Sequence, residues 1–411
     1  MSEDGFAFGH LETNEDIEQY LELTRTMFRP EEDVDVFVRN LIEYHSTMTL
    51  RDHFVAKHHG KIVSCLILIP VQWSIGGIPL KAAEMGNVAT LPEYRHRGLI
   101  RRLVAEFHKR IADKGYDLSV IAGIPYFYRQ FGYEYAIPID EETRIKINQI
   151  PDYEPKHNTR SFNDKDISKA MQLLEQTQQK FYVHSIRDEK IWRVQQKTRM
   201  ASDLPKFEGY AVEENRDMVA YFRIIEKPKD KELVLREVTD TDQLTARSIL
   251  RFLRDTGKQR GHETLVSMAS HYDSFTEHIV SIGGVKQIPS YAWQIRVTDY
   301  VKMFKKMKPL FEKRLAASTY RHLTEKLNFN FRRYTVQMTV ENGKIIDVRR
   351  LETNEDRTIG LNPLVFTQLL LGYRNRQELE AIYPDFRIHP SHKHLIDILF
   401  PKLSSYIHAA Y

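Results

Sequence analysis

Residues 93–103, EYRHRGLIRRL, gather Arg95, His96, Arg97, Arg101 and Arg102 around a single glycine where an amphipathic helix begins. Downstream, Leu99, Ile100, Leu103, Val104, Phe107 and Ile111 recur at helical spacing, with Arg101, Arg102, Glu106 and Lys109 on the other face. Upstream, HFVAKHHGKIVSCLILIPV and IPLKAAEMGNVATL, joined by Gly76 and Gly77, read as strands linked by tight turns. After Gly115, which suits a helix C-cap, YDLSVIA returns as a buried strand. The local order is strand, basic turn, helix, strand. A helix N-terminus presents unpaired N–H groups and the positive end of the helix dipole. Cationic side chains are unwelcome there unless an anion is bound, and Gly98 lets the backbone approach one closely. A pyrophosphate fits that requirement; a solvated basic face beside a helix cap is the plainer alternative.

Two further stretches organise the rest of the chain. Residues 210–290 repeat the layout: a hairpin (GYAVEENRDMVAYFRII), a strand (ELVLREVTD), a helix ending near Gly261, a strand (HETLVSMAS), then SFTEHIVSIGGVKQI. In place of the basic turn stands Thr239-Asp240-Thr241-Asp242, a strong N-cap but acidic and without glycine, so this copy should repel a pyrophosphate. Beyond YAWQIRVTDYVKMF, the segment FNFRRYTVQMTVENGKIIDVRRL alternates around an Asn342-Gly343 hairpin turn. NPLVFTQLLLGY then opens a helix with Asn362 as N-cap and Pro363 at its first position. A strand pair with an apolar helix either encloses a lipid-sized groove or buries a core.

Composition excludes several classes. The chain of 411 residues has 60 basic against 56 acidic residues, too balanced for a nucleic-acid binder covering the whole chain. The single cysteine, Cys65, rules out an internal disulfide and fits a reducing compartment. No secretory leader or bilayer-length apolar run is evident, so a cytoplasmic protein without membrane partners is expected. His389, His392 and His394 in HPSHKH match no metal-ligand spacing, and no metal is expected.

VATLPEYRHRGLIRRLV resembles the coenzyme A motif of the GNAT acetyltransferase superfamily, an Arg/Gln-x-x-Gly-x-Gly/Ala turn joining strand to helix. Arg95 to Ile100 follow it, with Ile100 where the motif has a small residue. IPYFYRQFGYEYA resembles the family's next element. The three blocks together, with WQIRVTD, LLLGY and LFP, resemble the enhanced intracellular survival (Eis) acetyltransferases. That resemblance implies an α/β (α+β) fold with tandem GNAT-type mixed sheets and a C-terminal sterol-carrier-like domain. It divides the chain into an active GNAT domain (1–150), a degenerate one (151–295) and a sterol-carrier-like domain (296–411) that supplies the C-terminus.

The implied activity is N-acetylation by acetyl-CoA of primary amines on a small polycation, aminoglycoside- or lysine-like. The implied assembly is a homo-oligomer, a hexamer by resemblance. Val88, Ala89 and Thr90 would hold the pantetheine arm and polarise the thioester. Arg95, His96, Arg97, Gly98, Leu99, Ile100 and Arg101 would hold the pyrophosphate, with Gly123 and Ile124 further along the cofactor. Tyr128 aligns with the tyrosine that protonates the leaving thiolate; without the resemblance it reads as one more packed aromatic. The base is the C-terminal carboxylate of Tyr411, ionised at neutral pH, or alternatively Glu84, where many single-domain GNAT enzymes keep a glutamate. A non-catalytic module binding acyl-CoA or lipid, and a transferase with another acyl donor, are the competing functions.

Overall fold

The computed structural model describes residues 5–29, 33–139, 141–202, 204–289, 291–353 and 358–411. The chain begins with β1 (Phe6–His10), α1 (Asn14–Phe28), α2 (Val34–Tyr44), β2 (His53–His58), β3 (Lys61–Ile75), β4 (Ile78–Thr90), α3 (Leu99–Asp113), β5 (Leu118–Ile121) and β6 (Glu134–Ile139). Thr13 caps α1 by accepting from the Asp16 amide at 3.1 Å, as the TNED signal predicts. The apolar stripe of α3 is buried at Leu99, Leu103, Val104, Phe107 and Ile111, leaving the arginine face in solvent.

The middle of the chain lays down β7 (Thr143–Lys146), β8 (Asn158–Ser161), α4 (Ile167–Gln178), β9 (Val183–Ile186), α5 (Glu189–Thr198), β10 (Glu208–Glu214), β11 (Asp217–Lys227), β12 (Glu232–Val238), α6 (Gln243–Gln259), β13 (Thr264–Ser267), α7 (Ser274–Ser281), β14 (Val285–Lys286) and β15 (Tyr291–Val297). Two sheets result. The first runs β6-β15-β5-β4-β3-β2-β1, with β9 added against β3, and the second runs β14-β7-β13-β12-β11-β10-β8. Position by position the two orders match. In each, the described strands form one parallel pair, β4–β5 and β12–β13, bridged by α3 and α6 respectively.

The match reveals an exchange that the sequence did not disclose. β7, between β13 and β14, directly follows β6 of the first sheet; β15, between β5 and β6, directly follows β14 of the second. Each sheet is completed by a strand from the other stretch. Separating the two would break both ladders, so they are expected to unfold together.

The remainder forms α8 (Tyr300–Ala316), β16 (Glu325–Asn330), β17 (Thr335–Glu341), β18 (Lys344–Leu351), β19 (Ile359–Gly360), α9 (Pro363–Leu370), α10 (Arg376–Ile382), β20 (Arg387–Ile388) and α11 (Pro390–Leu399), with sheet order β18-β17-β16-β19-β20. Asn342 and Gly343 both take positive φ, as the hairpin turn requires, and Asn362 caps α9. Between sheet and helices the space is packed with rings: Phe304 to Phe329 at 4.9 Å, Phe311 to Phe400 at 5.3 Å and Phe366 to Phe400 at 5.3 Å. Of the two readings open for this segment, the buried core is the one these contacts fill. The same cluster continues through Trp73 and Trp293, binding the third unit to the first sheet. His389 caps α11 and His392 meets Glu325 at 2.8 Å. Among the described residues no helix is long and apolar enough to cross a membrane.

From α11 the chain runs back along β9. Tyr182 N–H donates to Ser404 O at 2.7 Å, Tyr406 N–H to Val183 O at 3.0 Å, and Ser185 Oγ to His408 O at 2.6 Å. Beneath this tail lies a buried ionic cluster. Arg187 grips Glu237 bidentately at 3.0 and 2.6 Å, and Tyr221 Oη donates to the same carboxylate at 2.8 Å. Burial alone would raise the Glu237 pKa; the Arg187 and Arg223 guanidinium groups outweigh it and hold the carboxyl well below its usual range.

His408 sits against this cluster. Burial pushes its imidazole down to about 3 from an ordinary 6.5, with Glu237 opposing and Arg187, His184 and Arg236 assisting. Its Nδ1 accepts from Gln178 Nε2 at 3.2 Å, which suits the neutral ring. A released tail would protonate His408 near 6.5, the docked one only near 3. Docking is therefore strongest above that upper value and weakens as the pH falls through the interval. Amide exchange at Tyr406, corrected for intrinsic rate, should accelerate on acidification more than exchange in β3. His408→Gln should flatten the difference.

Candidate active site

The site is a wedge opened in the first sheet. Parallel pairing of β4 with β5 covers Ala82–Leu118, Ala83–Ser119 and Glu84–Val120, and stops there. Just beyond, β4 carries a bulge against β3, with the register shifting between Cys65 and Ile67 and Asn87 at φ 46°. Asn87 is fixed by Nδ2 donating to Thr24 Oγ1 at 2.9 Å. A bulge bends and twists the strand that bears it, and here β4 parts from β5. A cavity of about 460 Å³ lies alongside, lined by Glu84, Met85, Gly86, Asn87 and Val88 from β4, by Ile121 at the end of β5 and the three residues after it, and by Tyr128 and Tyr411. Ala89 and Thr90 do not join its wall; they close on β3, where Ser64 Oγ donates to Ala89 O at 3.0 Å.

At the far end of β4 the basic turn is built as a cradle. His96 and Gly98 take left-handed φ of 63° and 74°. Arg95, His96, Arg97 and Gly98 are exposed, and a Cβ added at Gly98 would meet only open space. The N-terminus of α3 has no side-chain cap and no acidic residue in its first turn. The corresponding end of α6 is closed by Asp242, which accepts from the Thr245 amide at 2.8 Å. Arg101 reaches Gln130 at 3.2 Å, and Arg102 lies over the Phe8 ring at 4.0 Å. Among the described residues no carboxylate pairs with Arg95, Arg97, Arg101 or Arg102. Leu99 faces the core and Ile100 is half-buried beside it, which accounts for the large residue at that position.

Tyr128 enters on a short 3-10 helix, Phe127–Phe131, and lines the cavity while packing edge-on to Phe127 at 5.0 Å and Tyr133 at 6.2 Å. Burial raises its pKa, with Tyr133 and Tyr291 adding to the effect, so the phenol stays protonated throughout the physiological range. Its ring is laid against Gly123: a Cβ there would stand 2.1 Å from Tyr128 Cε2. Gly123 and Ile124 are in turn held by Gln294 Nε2, from the exchanged strand β15, at 2.6 and 3.3 Å from their carbonyls. Gly123→Ala should displace the Tyr128 ring. We expect a kcat loss of about tenfold or more with acetyl-CoA affinity changed less, read from steady-state kinetics beside calorimetry.

The residues that carry the two candidate bases meet, through the Tyr411 phenol. Tyr411 Oη donates to Glu84 Oε2 at 2.5 Å, and the Tyr411 ring packs edge-on to Phe37 at 5.3 Å. Sequence reasoning set Glu84 and Tyr411 as rivals and considered only the terminal carboxylate; the phenol contact has no signature in a linear pattern. It also missed Arg236 of β12, which lines the same cavity from the second sheet.

Residues 10–136 match the family described as the acetyltransferase (GNAT) domain, so this part of the chain is a GNAT acetyltransferase domain. Among individual proteins, the N-acetyltransferase Eis of Mycobacterium tuberculosis is 32% identical over 107 residues, an alignment covering 26% of this chain and 26% of that one. The chain thus matches about a quarter of the length of these curated relatives. In three dimensions the likeness is longer. A GCN5-related N-acetyltransferase from Anabaena variabilis superposes with a TM-score of 0.75 over 99% of this chain and 100% of that chain, at 16% identity. Eis1 from Mycobacterium abscessus does so with a TM-score of 0.68 over 98% and 100%, at 15% identity. The mixed α/β fold expected from the sequence is therefore the fold observed.

Proposed function

We propose that the chain is an acetyl-CoA-dependent N-acetyltransferase acting on the primary amine of a small molecule by direct attack on the thioester. The observation that carries this reading is the wedge between β4 and β5, joined at one end to an anion cradle and at the other to a cavity holding Glu84, Tyr128 and Tyr411. The cradle fits a pyrophosphate: exposed cations without carboxylate partners among the described residues, an uncapped helix N-terminus, and open space at Gly98. In this reading Arg95–Arg101 hold the diphosphate, and Val88, Gly123 and Ile124 flank the pantetheine arm. Acetyl-CoA supplies an acyl group activated as a thioester. Glu84 or the Tyr411 carboxylate takes the proton from the incoming ammonium, and Tyr128 keeps a proton ready for the departing sulfur.

The sequence resemblance adds a polycationic acceptor, a degenerate second GNAT unit, a sterol-carrier-like third unit and a hexameric assembly. The matching strand orders support the tandem division, as does the Asp242 cap where an anion site would otherwise form. Free-thiol release from acetyl-CoA across a panel of amines tests the activity. A protein that binds acetyl-CoA yet turns over no amine would overturn the proposal.

A further inference from the structure

Beyond Glu84, much of the cavity wall is apolar, with Asn87, Ser202, Tyr291 and His408 as polar breaks. Phe37, Val71, Trp73, Trp293, Leu204 and Ile407 line it, and Glu84 is the one acidic side chain among its described lining residues. Among the described residues a polycation would meet only Glu84 and the Tyr411 terminus as carboxylates, leaving its further ammonium groups unanswered at a cost in desolvation. One cation also faces in. Arg236 is half-buried, and its only hydrogen bond among the described residues runs from Nη1 to the Met268 sulfur at 3.4 Å, a weak acceptor. Several half-buried or buried arginines here do have carboxylates: Arg129 with Glu134, Arg160 with Asp166, Arg187 with Glu237, Arg376 with Asp397. Glu237, next to Arg236 in sequence, is already occupied by Arg187.

We infer that the acceptor is a primary amine with an apolar, aromatic or branched body and a carboxylate of its own, which Arg236 binds while the amine lies at Glu84 and Tyr411. A planar guanidinium suits a planar carboxylate, and the tryptophan-rich wall suits the body between the two charges. This rests on the cavity being the acceptor site of an N-acetyltransferase.

The test compares kcat/KM for three acceptors: aryl-alkylamines bearing a carboxylate, the same amines without it, and an aminoglycoside. The carboxylate should raise kcat/KM about tenfold or more, the scale of one charge-assisted hydrogen bond. Arg236→Gln should bring that ratio close to one, and Arg236→Lys should restore part of it. Acetyl-CoA affinity, measured on each variant, reports that the first unit is folded. Preference for the aminoglycoside, or a ratio that Arg236→Gln does not move, overturns this inference while leaving the acetyltransferase reading in place. Absence of turnover with all three overturns that reading instead.

Discussion

Gly98→Asp should lower the affinity for acetyl-CoA by about a hundredfold or more, because it sets a carboxylate where the diphosphate is to lie. Two effects combine at this position and can be separated. Any side chain at φ 74° is strained, at about 1–2 kcal/mol for most residues, and aspartate is among those that bear it best. Sterically the site is open, since nothing stands within 4 Å of an added Cβ. Gly98→Ala therefore reports the backbone alone and should cost about tenfold or less, leaving the rest of the loss to charge. Salt distinguishes them further: raising ionic strength should narrow the gap between the two variants, because repulsion at an exposed site is screened. Calorimetric titration of both variants at two salt concentrations decides the matter. Equal affinities for Gly98→Asp and the native protein would remove the diphosphate from this turn.

That the turn was legible in the sequence, while the exchanged strands were not, has a physical cause. A helix start, a glycine requirement and a charge run are local, each fixed by residues within about one or two turns. The placement of β7 and β15 depends on which sheet edge each strand meets after folding, and both have the same alternating character as strands that stay at home. The division at 150 and 295 that the resemblance implies falls near the two crossings, between β7 and β8 and within β15; it cannot say that the strands beside those boundaries change sheets. Asn87 is a similar case. Its positive φ creates the bulge that opens the wedge, yet asparagine in a strand reads only as a weak strand former. Arg236 was hidden for the opposite reason. On β12 it alternates with buried residues as an ordinary half-exposed strand arginine, and only the fold turns that face towards Glu84.

The same dependence on long-range placement governs the base, and a set of three variants resolves it. Removing Tyr411 should lower kcat by about a hundredfold or more, the usual range for losing a general base, with KM for acetyl-CoA changed less. The deletion changes two things at once: it moves the terminal carboxylate back to Ala410 and removes the phenol that donates to Glu84 at 2.5 Å. Tyr411→Phe removes only the phenol. If the terminal carboxylate takes the proton, this variant keeps most of its activity, since the ring still packs on Phe37 and the tail is still clipped to β9. If Glu84 is the base, the variant loses a hydrogen bond to the carboxylate that takes the proton, and kcat/KM should fall with it. Glu84→Gln then falls as far as the deletion, whereas with Tyr411 as base it keeps the larger share. The kinetics of the three variants assign the proton to one carboxylate, and a deletion that works at the native rate would return the role to Glu84.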